Sequence, residues 1–318
     1  MVSMAVQQGA RLHGDIYEVA RAVGCLPLSL VNLFFSGEPG AGDRNWVLID
    51  AGLPMSASRI VGAAAERFGP KSRPAAIVLT HGHFDHVGDL PALAERWDTH
   101  IYCHPLERPY LTCQSSYPPP DPAVGGGAMS FLSRFYPRGP VNLGERLRTL
   151  PVDGSVPFMP GWQWIHTPGH TAGHVSLFRE SDRTLIVGDA FVTTRQESLL
   201  AVLTQRQEVR RPPAYYTSDW QAARRSVGKL AALQPSVAAT GHGRPMTGEL
   251  LREQLNHLVE HWDREAVPAH GRYIAEPAVT TERGVEHVPP PVLDRQLVLA
   301  GGLGLAALAG CMLLRDRR

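Results

Sequence analysis

Three histidines and an aspartate crowd into six positions of one short stretch: His81, His83, Asp85 and His86 in "THGHFDH". The apolar run "AAIVL" before it reads as a buried strand. Such side chains are seldom buried together unless something compensates them. Further donors recur where other apolar runs end beside glycine. Asp50 follows "WVLI", His170 lies in "HTPGHTAGH", Asp189 follows "TLIVG", and His242 follows "SVAATG". Imidazoles and carboxylates in such numbers are ligands for divalent metal ions. His81, His83 and His170 make one set of three; Asp85, His86 and His242 make a second; Asp189 is left to bridge them. Three imidazoles plus one shared oxygen describe a four-coordinate, zinc-like site with a position for water. A second ion about 3.5–4 Å away would share one hydroxide with the first. The cofactor expectation is therefore two divalent ions, zinc first, with iron or manganese as alternatives. Asp85 and Asp189 are the candidate catalytic carboxylates, able to hold the hydroxide and carry its proton.

The elements that must position these residues alternate. "DIYEVA", "LVNLFFS" and "NWVLIDAG" read as strands separated by Gly, Pro, Asn and Asp turns. Helix "SASRIVGAAAERFG", strand "AAIVLT", helix "LPALAERW" and strand "HIYCHP" follow. Residues 104–140, rich in Pro, Gly and aromatics, break the rhythm as an irregular insertion, often the mark of a lid or binding loop. Strands "WQWIHTPG", "HVSLFRE" and "RTLIVGDA" come next. Helix "SDWQAARRSVGKLAALQ", strand "SVAATGHG" and helix "GELLREQLNHLVEHWDRE" close the pattern. This is a mixed α/β architecture. It predicts a catalytic domain over 1–265, a Pro-containing irregular linker or extension over 266–292, and a C-terminal apolar helix over 293–318.

That last segment contains 18 uncharged residues, Leu297 to Leu314, with "RDRR" after them. Its length is near the lower limit for a membrane span. It predicts a membrane anchor holding a cytoplasmic domain at the inner face of the cell membrane, the N-terminus having no secretory pattern. Gly302, Ala306 and Gly310 lie on one helical stripe, a spacing that lets two such helices approach and leaves a homodimer open. The net charge of +1 and the lack of any Lys/Arg block argue against nucleic acid as a partner, leaving a small-molecule substrate. The four cysteines form no CxxC pair and read as structural or free thiols.

With Asp50 in "LIDAG", the four residues of "THGHFDH", His170 in "TPGHTAGH", Asp189 in "VGDA" and His242 in "TGHG", residues 15–265 resemble the metallo-β-lactamase-fold hydrolases, in particular their glyoxalase II-like bacterial members. The resemblance implies a four-layer αββα sandwich with the metals at one edge between the sheets. It selects His170, not His166 or His174, as the ligand, and makes Asp50 a supporting residue that orients the motif loop. Departures narrow the substrate. Metallo-β-lactamases proper use other second-site ligands or lack the bridging aspartate. Glyoxalase II enzymes carry "GHEYT" where this chain has "GHGRPM". Homoserine-lactone lactonases place a tyrosine where this chain has Val192, although Tyr215 or Tyr216 could substitute spatially. RNase Z enzymes share the motif, but no basic arm is present to grip RNA. What remains is hydrolysis of a small ester, thioester or lactone, with Arg195, Arg210 and Arg211 as potential contacts for an acidic group. The alternatives are a phosphodiesterase or nuclease-type hydrolase, a mononuclear-iron enzyme resembling persulfide dioxygenases, and, last, a non-catalytic membrane-tethered binding protein. His257 and His261, four apart on a helix without an intervening HExxH glutamate, read as chance.

Overall fold

The computed structural model describes residues 11–13 and 16–292. Strands β1 (Arg11–His13), β2 (Ile16–Ala20), β3 (Val23–Leu28), β4 (Val31–Ser36), β5 (Val47–Ile49), β6 (Ala76–Val78), β7 (Ile101–Cys103) and β8 (Leu147–Thr149) form one sheet in chain order. It is antiparallel up to β5 and parallel from there on. A second sheet contains β9 (Trp162–His166), β10 (Val175–Arg179), β11 (Thr184–Gly188), β12 (Val237–Thr240) and β13 (Met246–Thr247), in the order β13-β12-β11-β10-β9. Its one parallel pair is β11 with β12.

Parallel neighbours need a crossover, and amphipathic helices supply it. Helix α1 (Ala57–Phe68) leads from β5 to β6 and buries Ile60, Ala64 and Phe68, spaced four apart. A single turn, α2 (Phe84–Val87), precedes α3 (Leu90–Trp97), which leads to β7. Three short helices follow: α4 (Arg108–Leu111), α5 (Ala128–Leu132) and α6 (Leu199–Thr204). Helix α7 (Trp220–Ala232) links β11 to β12. The Asp219 carboxylate caps it by accepting from the Ala222 amide at 2.8 Å. Helices α8 (Gly248–Glu260) and α9 (Trp262–Glu265) complete the set.

Strand residues alternate between two cores. Val47 and Ile49 face the second sheet, where they meet Val175, Leu177, Ile186 and Ala239. Leu48 points the other way, into a core with Ile60, Phe68, Leu93 and Trp97 of α1 and α3. On the far side, Leu185, Val187 and Ala238 pack against Trp220, Val227, Leu251 and Leu255 of α7 and α8. Helices therefore cover the outer face of each sheet, which is why the strands read as continuous apolar runs rather than alternating ones.

Two departures from the sequence reading have simple causes. Strand β3, "VGCLPL", contains Gly24 and Pro27, which read as turn punctuation; full pairing with β4, Leu26 opposite Leu33, overrides them. The stretch after 265 is not irregular throughout. Strands β14 (Val279–Thr281) and β15 (Gly284–His287) form a ribbon. It docks on the 104–140 insertion through Tyr110 Oη to Thr280 Oγ1 at 3.3 Å and Val285 N to Ser115 Oγ at 3.2 Å. Among the described residues, no helix is long and apolar enough to cross a membrane. The apolar segment 293–318 lies outside the described residues.

Gly88, just after α2, donates its amide to Gly52 O at 2.8 Å, and a Cβ there would come within 2.2 Å of Pro54 N and Leu53 C, both backbone. Gly88→Ala is expected to destabilise the protein by about 1–3 kcal/mol, the usual cost of overpacking against atoms that cannot yield. A urea midpoint equal to wild type would show that this close approach is not required.

Candidate metal centre

The motif begins where β6 ends. Residues 81–83 form no regular element; His83 is extended, and the ligand atoms of His81 and His83 lie within 4.8 Å of each other. The chain then turns into α2, with the His83 carbonyl accepting from the His86 and Val87 amides at 2.9 and 3.1 Å. That turn brings Asp85 and His86 back toward the first two histidines. The His81 and His86 rings lie 4.1 Å apart.

The second sheet supplies the remaining groups from the ends of its strands. His170 lies in the turn between β9 and β10, Asp189 just after β11 and His242 just after β12. The structure brings all seven residues together. Three combinations have ligand atoms within 4.8 Å of one another: His81, His83 and His170; His81, His86 and Asp189; Asp85, His86 and His242. Asp189 sits between the sets. Its Oδ2 is 3.1 Å from His242 Nε2 and 3.5 Å from His170 Nε2, and its Oδ1 is 3.7 Å from His86 Nε2. His242 Nε2 is also 3.5 Å from Asp85 Oδ2.

Several of these atoms are buried with no hydrogen-bond partner: His81 Nε2, His86 Nε2, His170 Nδ1 and Asp189 Oδ1. Native interiors leave few polar atoms unsatisfied. Unpaired imidazole and carboxylate atoms on residues grouped this closely are what a divalent ion would satisfy, so the donor set fits a metal. His83 Nδ1 lies 3.0 Å from His170 Nε2.

The Nδ1 atoms of His86 and His242 have partners outside the cluster. His86 Nδ1 is 2.8 Å from Asp50 Oδ2. Asp50 also accepts from the Thr80 amide and hydroxyl, both at 2.8 Å. It does so from a left-handed backbone conformation, φ 62°, costly for aspartate. Its expected role as an orienting residue has these contacts behind it. His242 Nδ1 donates to Leu30 O at 2.6 Å, which leaves Nε2 facing Asp85 and Asp189. His174 is turned away from the cluster. Its Nε2 accepts from the Asp189 amide at 2.8 Å and its Nδ1 is 2.8 Å from Thr167 Oγ1, so it fixes the backbone of Asp189. Gly241 is required here, since a Cβ would lie 2.1 Å from Asp189 Oδ1.

Burial and neighbouring charge split the histidines into two groups. Desolvation, reinforced by adjacent imidazoles, holds His81 and His83 well below the ordinary imidazole value, and burial takes His170 down to about 3. Burial also pulls on His86 and His242, but Asp189 with Asp50 outweighs it at His86, and Asp189 with Asp85 at His242. Both are raised.

Sequence reasoning missed four supports. Glu107, in the insertion, is fully buried between the two ligand loops. It accepts from the Gly82 and Gly173 amides, each at 2.9 Å, from Thr171 Oγ1 at 2.7 Å, and from the Tyr117 hydroxyl. Tyr117 packs its ring 4.6 Å from that of His83. Asn32 joins the first sheet to the His242 loop, its Nδ2 donating to Thr240 O at 2.9 Å and Gly243 O at 2.6 Å. Gln196 sits 3.2 Å from His242 Nδ1. A glutamate in a Pro- and Tyr-rich stretch with no apolar periodicity gives no local signal; only the fold brings it inward. Two of the arginines singled out above have other partners. Arg210 pairs with Glu208 at 2.8 Å, and Arg211 holds Glu197 at 3.2 Å and Ala266 O at 2.8 Å. Tyr216, by contrast, stacks on His83 at 4.3 Å.

A profile of the metallo-beta-lactamase superfamily matches residues 40–242. The probable metallo-hydrolase YflN of Bacillus subtilis is 46% identical over 77% of this chain and 92% of its own length. Another B. subtilis protein, the probable metallo-hydrolase YybB, is 26% identical over 68% of this chain and 83% of its own. Among solved structures, a beta-lactamase domain protein from Burkholderia ambifaria superposes with a TM-score of 0.56 at 22% identity, over 82% of this chain and 80% of that one.

Two outcomes follow from the geometry. Metal uptake by the set containing His86 and His242 must displace protons. Its affinity should fall about tenfold per pH unit for each proton displaced as pH drops through neutrality. Uptake by His81, His83 and His170, already neutral, should hardly change down to about pH 5. Calorimetry in buffers of different ionisation enthalpy reads this directly, and equal proton release in both steps would contradict it. Glu107→Gln turns an NH2 group toward donors that now find a carboxylate. It should weaken metal binding by about 10–100-fold, as loss of an orienting group does. Competition with a chelator measures this; unchanged affinity would remove Glu107 from the centre.

Proposed function

The chain belongs to the metallo-β-lactamase superfamily and is a metallo-hydrolase; from that premise we propose that it cleaves a small ester, thioester or lactone at the His/Asp centre. The observation that carries the reading is the position of Asp189 between two three-residue ligand sets, with one oxygen unpaired. We assign His81, His83 and His170 to one divalent ion, Asp85, His86 and His242 to the other, and Asp189 to both, with Asp50 orienting His86. Zinc suits an imidazole-rich set of this kind. Bound there, a pair of divalent ions would supply Lewis acidity that brings the pKa of water down to about 7.

The chain's own residues account for the rest. Asp85 is the ligand carboxylate that stays partly exposed, beside the His242 imidazole, and it accepts the proton of the attacking water at its Oδ atom. His174, through the Asp189 amide, fixes the backbone from which the shared carboxylate projects. The substrate's acyl part meets an aromatic wall. Tyr216 lies flat on His83, and Tyr136 packs 5.7 Å from Phe84 and 6.2 Å from Tyr216. Met129 and Tyr215 close the same cluster. An apolar wall with Arg210 and Arg211 already engaged supports a neutral acyl substrate over a phosphodiester. We take 1–265 as the catalytic domain, with 266–292 as an extension packed on its insertion and 293–318 as an anchor.

The test is a panel of short acyl thioesters, lactones, aryl esters and an aryl phosphodiester, assayed with the metal-loaded chain. The carboxylic substrates should lead the phosphodiester by about 100-fold or more in kcat/KM, and Asp85→Asn should cost about 10²–10⁴ in kcat. Preference for the phosphodiester, or full turnover by the variant, would overturn the reading.

A further inference from the structure

The insertion and the segment before α6 leave an apolar surface beside the site. Phe131, Leu132 and Phe135 from α5 and the turn after it, and Leu199, Leu200 and Leu203 from α6, are each between 42% and 74% exposed. The two helices are neighbours: the Met129 amide donates to Glu197 O at 3.3 Å, and Gly127 packs against the Glu197 and Ser198 backbone. Scattered exposed leucines need no explanation, but six large apolar side chains on two adjoining short helices do. The same elements reach the metal centre. Met129 of α5 and Tyr136, next to Phe135, belong to the cluster that includes Tyr216, the residue stacked on His83.

The charge around this surface has one sign. Residues 125–140 contain Arg134 and Arg138 and no carboxylate. Residues 195–207 contain Arg195 and Arg206 and one carboxylate, Glu197, which is buried and paired with Arg211. Arg134 and Arg138 are held on Phe131 O and Tyr117 O, and Arg195 and Arg206 are exposed. An apolar face carrying exposed arginines matches the interface of a bilayer with anionic lipid, where leucine and phenylalanine sink below the headgroups and arginines stay among them. The rest of the chain is consistent with that partner. The segment after 265 runs along the same insertion, Arg272 N on Asp121 and Thr280 on Tyr110, and the sequence then continues into the uncharged stretch 297–314.

We propose that the α5–α6 surface is a membrane-docking face that sets the mouth of the metal centre against an anionic lipid surface. This is independent of which bond the centre cleaves.

The experiment is hydrogen–deuterium exchange on the full chain, alone and with vesicles of phosphatidylcholine, with or without about a third phosphatidylglycerol. Amides of 128–136 and 199–206 should exchange about tenfold more slowly with the anionic vesicles and much less so with neutral ones. Leu200→Glu with Leu203→Glu, both at exposed positions, should abolish that protection while leaving exchange in the β-sheets unchanged. Arg195→Gln with Arg206→Gln should reduce it on anionic vesicles only. Vesicle binding without protection of these segments would assign the attachment to 297–314 alone and overturn the proposal. No binding at all would do the same. Protection that appears without vesicles as protein concentration rises would mean a second copy covers the face.

Discussion

Everything near the strand ends depends on one constraint: titratable side chains are held out of water with their ligand atoms facing each other. Left alone, such a cluster costs free energy through desolvation and through polar atoms without partners, each worth about 1–3 kcal/mol. The fold opposes that cost from outside the cluster. Asp50, Thr80, Leu30 O, Gln196 and Glu107 engage atoms at the cluster's edge or the loops behind them, while His81 Nε2, His86 Nε2, His170 Nδ1 and Asp189 Oδ1 stay unpaired. Those four unsatisfied atoms are what a bound divalent ion would relieve.

The sandwich exists, in this view, to bring two sets of strand ends to one edge. The first sheet presents the 81–86 loop; the second presents His170, Asp189 and His242. The sheets are joined there by polar contacts as well as by their shared core. The Val175 amide bonds to Thr80 O at 2.9 Å, and Asn32 in β4 grips the His242 loop. A slip of either sheet by one residue would turn its core-facing strand residues outward and displace the loops that carry the candidate ligands. The apolar interior formed by Phe34, Ile49, Leu177 and Ile186 therefore fixes the register that the chemistry needs.

The candidate site was legible in the sequence because its residues carry a local signature. His81, His83, Asp85 and His86 fall within six positions, and the later candidate ligands each follow an apolar run and a glycine. Helix α3 could be read to its ends from Leu90 to Trp97 by its periodicity. What the sequence hid is what only tertiary contacts create. Glu107 and Tyr117 sit in a Pro-rich insertion with no periodic signal, yet Glu107 bonds both ligand loops. Asn32 looks like one polar residue in a strand until its partners, more than 200 positions away, are known. Arg210 and Arg211 looked like substrate contacts because charge is visible in a sequence and ion pairing is not. The insertion is thus less a lid than a wall, with one side holding ligand loops and the other carrying the exposed apolar face.

Elemental analysis of the purified full chain, with His83→Ala as control, addresses the central claim most directly. The account predicts about two divalent ions per chain in the wild type, with a clear loss in the variant. A chain that takes up no divalent ion after reconstitution, or holds the same amount without the His83 imidazole, would contradict it.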